Sequence, residues 1–197
     1  MASLGGKRIG FALCGSHCSF DQVFPEIGKL VETGAEVFPV LSAAAVSTDT
    51  RFGSAAQLVE KLTQFTRHQP MTELTQVEPI GPGGTLDALV IAPCTGNTLA
   101  KLALAITDSA PLMAAKAMFR NGRPVVVAIS TNDALGANAK NVGILLNMKN
   151  VYMVPFGQDN PESKPTSMMA DMKMIIPTLV MALEGKQIQP VLVERRH

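Results

Sequence analysis

Apolar residues along the chain fall into short unbroken runs and longer stretches with helical spacing, and the two kinds alternate from end to end. Residues 7–13, 36–41, 86–92 and 124–129 are runs of the first kind and read as strands buried on both faces. A shorter run at 151–154 reads as a fifth strand. Helix patterns lie between them: at 20–32, closed by Gly34; at about 97–106; at 111–119, with Asn121-Gly122 behind it; and near 137–148. A last helix is predicted over 168–184. Ser54 and Gln57 form a capping box ahead of Leu58, Leu62 and Phe65, which share one helix face. Ser19 and Gln22 repeat the box, with Cys18 and Val23 spaced as a hydrophobic staple, while Pro25 predicts a kink or a later start. Residues 67–85, rich in polar residues, Pro and Gly, read as a long irregular connection.

Strands alternating with helices close through right-handed crossovers into a parallel sheet covered on both faces. The predicted fold is therefore α/β, a doubly wound parallel sheet in a Rossmann-like three-layer sandwich. With 197 residues and no repeat, low-complexity stretch or linker, the chain reads as a single domain over 1–197, of which 185–197 is a C-terminal tail. Sheets of this class bind ligands beyond the carboxyl ends of their strands. The predicted strands run out into Cys14-Gly15-Ser16-His17, Ser42, Cys94-Thr95, Ser130-Thr131-Asn132-Asp133 and Phe156-Gly157-Gln158-Asp159. Small residues and neutral hydroxyls gather there, with few cations. That set suits a phosphate held by backbone N–H and Ser/Thr beneath an aromatic ring system, so flavin mononucleotide (FMN) is the expected ligand. Turns also collect Ser and Gly for conformational reasons alone.

The segment Ala92-Pro93-Cys94-Thr95-Gly96-Asn97-Thr98-Leu99-Ala100-Lys101 passes from strand into helix. Thr95 and Thr98 offer hydroxyls, Gly96 permits close approach of another backbone, and Asn97 and Lys101 share a helix face. The segment resembles the Pro-Ala-Ser-Ala-Asn-Thr signature of the homo-oligomeric flavoproteins, a superfamily that includes flavin-dependent cysteine decarboxylases. Residues 130–147 and 154–167 are similar to the dipicolinate synthase B-subunit family within it. The resemblance runs from about residue 7 to 185. It implies FMN contacts from Gly15, Ser16, Ser42, Pro93, Thr95, Asn97, Thr98 and Ser130, with Ser42 facing the phosphate. It implies a cytoplasmic protein of a sporulating mother cell, assembled in trimers or multiples of three. The implied function is oxidation of dihydrodipicolinate beside the dipicolinate synthase A subunit, which carries NAD(P). Asn97, Asn132 and Lys164, with Lys101 as a further cation, would then hold the dicarboxylate substrate. The segment 158–166 would act as a lid bearing Lys164, or else as an exposed turn.

Departures from the superfamily narrow the chemistry. The decarboxylases carry a His before the third strand in a His-Ile-x-Leu pattern, whereas Pro79 stands there in this chain. Proline neither orients nor protonates a substrate, which speaks against a stand-alone decarboxylase. A flavin prenyltransferase-like enzyme and a scaffold of the same fold without cofactor are the competing readings. Of His17, His68 and His197, only His17 falls near the predicted site. The Gly15-Ser16 turn matches neither a dinucleotide fingerprint nor a Walker loop, so no NAD(P) site is predicted in this chain. Cys14 and Cys18 flank His17 without a second ligand pair, and no metal site is predicted.

Composition agrees with these expectations. Charged residues make up 17% and apolar ones 47%, with eleven Met, which favours burial of some surface in an oligomer. A net charge of +1 excludes nucleic acid as the expected partner, and Arg195-Arg196-His197 reads as a solvated basic tail. No apolar run is long enough for a membrane span or a secretory signal, and three cysteines suggest reduced thiols.

Overall fold

In the computed structural model, which describes residues 4–194, the first elements stand where the apolar pattern puts them. These are β1 (Arg8–Leu13), α1 (Phe20–Glu32) and β2 (Glu36–Leu41). A short helix, α2 (Ala43–Ser47), leaves β2 directly. Helix α3 (Ala55–Thr66) opens on the predicted capping box: Ser54 Oγ accepts from Gln57 N at 3.2 Å, and Gln57 Oε1 accepts from Ser54 N at 3.0 Å. The chain continues through α4 (Leu74–Val77), α5 (Ile80–Gly83), β3 (Ala88–Cys94), α6 (Gly96–Ala103), α7 (Ala110–Arg120), β4 (Val125–Thr131) and α8 (Ala139–Leu146). It ends with β5 (Val151–Met153), β6 (Phe156–Asn160), β7 (Lys164–Ala170) and α9 (Ile175–Leu183).

Strands β2, β1, β3, β4 and β5 pair in that order and all run parallel. Every residue of β3 is buried, as expected for a central strand covered on both faces. Helices α1 and α9 pack together against the sheet, and α7 packs against it with α4, α5 and α6. The arrangement is the expected three-layer α/β sandwich, with helices on both sides of the sheet.

The sheet is mixed rather than wholly parallel. β6 and β7 form an antiparallel hairpin, and β7 continues antiparallel along the end of β4, pairing Ser130 with Met169 and Thr131 with Met168. The predicted helix at 168–184 therefore divides into the end of β7, a 3₁₀ turn at Met172–Met174 and α9. β7 is exposed along its first three residues and buried along most of the rest, so it lacks the alternation that marks a strand. Its pairing with β4 and β6 decides its conformation.

Other expectations are corrected locally. Ser19 makes no cap bond with α1, because its hydroxyl turns to Ser16 and Ser130 instead. Cys18 is exposed and staples nothing. α1 begins at Phe20 despite Pro25, which lies at an exposed position inside it. Phe65 is 40% exposed, outside the buried face made by Leu58 and Leu62. The connection 67–85 contains α4 and α5, and Met71 bonds in parallel beside β2 through Pro39 O and Leu41 N, each at 2.9 Å. Pro93 does not end β3, which runs on to Cys94 with a register slip against β4 after Ile91.

Beyond α9, Gln187 exchanges two 2.7 Å hydrogen bonds with the backbone of Met153. Val191 and Val193 bracket Phe156 with backbone bonds of 3.0 Å. Residues 195–197, the predicted basic run, lie outside the described residues.

Candidate functional site

The carboxyl ends of β1, β3 and β4 open into a cleft of about 520 Å³, walled on its far side by the β6–β7 hairpin. The topology forces this meeting: parallel strands release their loops at one edge, and the hairpin is tied to that edge by the pairing of β7 with Ser130 and Thr131. Gly15, Ser16, Thr95, Asn97, Ser130, Asn132 and Lys164 all line the cleft. Ser42, Pro93 and Thr98 do not. Ser42 stands beside the turn after β1, its N–H bonded to Leu13 O at 3.0 Å, and its hydroxyl caps α2 by accepting from Ala45 N at 3.3 Å. A Cβ on Gly15 would stand 3.0 Å from that of Ala44, so the turn and α2 are in close contact. Pro93 is buried in β3.

Three hydroxyls close a ring at the junction of β1 and β4. Ser16 and Ser130 are 2.9 Å apart, Ser19 and Ser130 2.8 Å, and Ser16 and Ser19 3.2 Å. Each can donate once and accept once within the ring and retains a lone pair for a ligand donor. Thr95 caps α6 by accepting from Thr98 N at 3.4 Å, and it donates to Thr98 Oγ1 at 3.2 Å. Thr98 in turn donates to the Cys14 thiol at 3.3 Å, which makes it a packing residue behind the cleft wall.

Glycine at 96 admits side chains, not the backbone that the sequence suggests. A Cβ there would meet Thr131 Oγ1 at 2.5 Å, Asp133 Oδ1 at 2.7 Å and Asn138 Nδ2 at 2.8 Å. The Asp133 carboxylate therefore lies against the first turn of α6. It accepts from the Thr131 hydroxyl at 2.5 Å and from the Asn138 amide at 2.7 Å. Asn138 is fixed from behind by the buried Asn141, whose amide donates to it at 2.8 Å. Asp133 belongs to the cleft, yet sequence reasoning does not single it out. Its place after the fourth strand is the available signal; its partners lie on other segments.

The two candidate cations differ. Lys164 lines the cleft in an ion pair with Asp159 at 3.0 Å. Lys101 pairs with Asp108 at 2.6 Å and does not line the cleft. Asn132 accepts from the Ser167 hydroxyl at 3.3 Å, and Asn97 is exposed. His17 points to the other side of its turn: Nδ1–H donates to Gly15 O at 3.1 Å, while Nε2 is buried with no partner among the described residues. It lines a separate cavity of about 200 Å³ with Phe20, Phe24 and Phe52, which none of the candidate cofactor or substrate residues lines. Pro79 sits between α4 and α5, and among the described residues no His lines the cleft.

Cys14 and Cys94 are buried thiols. Burial pushes Cys14 up to about 11 from its ordinary 9.0, against smaller opposite effects of its hydrogen bonds from Thr98 and Thr95. Burial, helped by the neighbouring Cys14, also raises Cys94. Above pH 9 the unfolded chain loses these protons while the folded chain keeps them. The unfolded state then binds fewer protons, so stability is complete below that pH and falls as pH rises, by about 1.4 kcal/mol per unit for each thiol. Urea melts between about pH 8 and 11 should show this decline, and Cys14→Ala should flatten it; an unchanged slope would remove Cys14 as the cause.

Comparison with known proteins agrees with this geometry. The family model described as Flavoprotein matches residues 2–184, and the chain belongs to that family. Within it, the chain is 53% identical to the dipicolinate synthase B subunit of Bacillus subtilis (strain 168) over 194 residues, 98% of this chain and 97% of that protein. The crystal structure of the dipicolinate synthase B subunit from Bacillus halodurans C superposes with a TM-score of 0.91 at 48% identity, covering 98% of this chain and 100% of that one. The FMN-dependent cysteine decarboxylase SpaF has a TM-score of 0.65 at 25% identity, covering 91% of this chain and 98% of its own.

Proposed function

We propose that this chain is the flavin-binding subunit of a dipicolinate synthase, acting with a nicotinamide-dependent A subunit to oxidise dihydrodipicolinate to dipicolinate. The observation that carries the reading is its likeness to the B subunit over the whole chain, cleft segments included. The cleft supports it by bringing seven of the candidate residues together, and Pro79, standing where the decarboxylases carry their His, speaks against a decarboxylase.

The residues fit FMN, with one restriction on its placement. A cleft of about 520 Å³ accommodates a tricyclic ring system, and the Ser16–Ser19–Ser130 ring offers it rotatable hydroxyls. Asp133, lying against Gly96, opposes a second anion at the start of α6. The reading puts the phosphate at the Gly15–Ser16 turn, with Ser42 beside that turn, while Thr95 shapes the wall beside the ring and Thr98 packs behind it. Bound flavin would supply a two-electron acceptor. Asn97, Asn132 and Lys164 face the remaining space and would orient the substrate carboxylates, Lys164 exchanging part of its Asp159 ion pair for a substrate oxygen.

A neighbouring copy of the chain is proposed to close the open side. Leu104, Ile106, Leu135, Ile144 and Leu146 are exposed around α6 and α8, next to the cleft, and support burial against another copy; a trimer or a multiple of three is the assembly proposed. No helix of the described residues is long and apolar enough to cross a membrane.

The test is reconstitution. The A subunit, nicotinamide and dihydrodipicolinate should yield dipicolinate only when this chain is present, and the chain alone should release no carbon dioxide from cysteine-ending peptides. Equal rates without it would sink the catalytic reading and leave a scaffold.

A further inference from the structure

Among the described residues three charged side chains line the cleft, Asp133, Asp159 and Lys164. Asp159 and Lys164 neutralise each other at 3.0 Å. Asp133 is held only by neutral donors, the Thr131 hydroxyl and the Asn138 amide, and forms no ion pair among the described residues. A glycine is needed at 96 to admit its carboxylate, and the buried Asn138 and Asn141 lock it from behind. The cleft is thus built around one fixed negative charge that no cationic side chain pairs among the described residues. Such a charge is unfavourable for a plain dicarboxylate and favourable for a ligand that carries or develops positive charge beside it.

We infer that Asp133 stabilises positive charge on the pyridine-type ring as it is oxidised in this cleft. The inference rests on the proposed function. In the oxidation, a hydride leaves a ring carbon with its electron pair for the oxidant, a flavin or a nicotinamide. The ring is left with one positive charge until a ring proton passes to water and the aromatic product forms. Asp133 faces that charge with its orientation already fixed, so no reorganisation is required when the charge appears.

Two ligands test this without turnover. Pyridine-2,6-dicarboxylate has a neutral ring, and N-methylpyridinium-2,6-dicarboxylate keeps the same carboxylates on a cationic ring. Calorimetry on the assembled enzyme should find the cationic ligand bound roughly 10-fold more tightly, in line with a screened charge pair in a partly open site. Asp133→Asn should erase that preference. In steady state it should lower kcat by about 100-fold, as expected for a lost preorganised group, without raising KM for the dianionic substrate. A merely structural role would raise KM and lower the melting temperature together. Equal affinities in the wild type, which need no variant to fold, overturn the inference while leaving the proposed function standing. So does a preference that survives Asp133→Asn. If neither ligand binds, the proposed function falls as well.

Discussion

Gly96→Ala should destabilise the protein by about 2 kcal/mol, the net of an overpacking penalty of about 1–3 kcal/mol, strain on buried polar partners, and a small gain in helix propensity. The added methyl would stand closer than 3.0 Å to three polar atoms, on Thr131, Asp133 and Asn138. None of them is the loose end of a flexible side chain: Asn138 is 6% exposed and Asp133 is held at both oxygens. Relief therefore means separating hydrogen bonds that are made inside the wall of the cleft. Gly143 in α8 is the matching control, since a Cβ there meets nothing within 4 Å. Gly143→Ala should be stabilising by about 0.5–1 kcal/mol, the ordinary preference of a helix for alanine. Urea midpoints of the two variants should thus move in opposite directions. A Gly96→Ala midpoint equal to that of the wild type would show that the Asp133 cluster can shift freely, and would weaken its assignment as a fixed charge.

What the sequence discloses depends on the range of the forces involved. β1, α1 and β2 are legible because their burial patterns repeat along the chain itself, and α3 because its capping box is complete within four residues. The cleft is legible in outline, since a parallel sheet releases its loops at one edge whatever their details. β7 is hidden because a Met-rich apolar stretch carries neither period, and its strand conformation comes from β4 and β6. The turn into α4 is hidden for a different reason: Glu73 and Gln76 form a capping box with a glutamate where Ser, Thr, Asp or Asn is the usual signal. Ser19 looks like a helix cap from its neighbours, yet Ser130, 111 positions away, takes its hydroxyl at 2.8 Å. Asp133 shows the same limit. Its residue type and position are visible, but its significance comes from Gly96 and Asn138, which the fold brings together.

Ser42→Asp should release the flavin while leaving the fold intact. Ser42 caps α2, accepting from Ala45 N at 3.3 Å, and aspartate caps a helix about as well as serine, so the stability change should stay within about 0.5 kcal/mol. The variant therefore separates folding from binding, which an apolar replacement would confound by removing the cap. Its carboxylate would stand beside the Gly15–Ser16 turn, where the phosphate of FMN is proposed to lie because Asp133 opposes it at α6. Like charges about 4 Å apart near a protein surface repel by about 4 kcal/mol, and screening leaves enough of this to weaken FMN by at least roughly 100-fold. Riboflavin, which lacks the phosphate, should bind the variant and the wild type alike. Flavin fluorescence during titration reads both affinities directly. Full retention of FMN by Ser42→Asp would move the phosphate away from this turn; equal losses of FMN and riboflavin would mean that the substitution had disturbed the ring site instead.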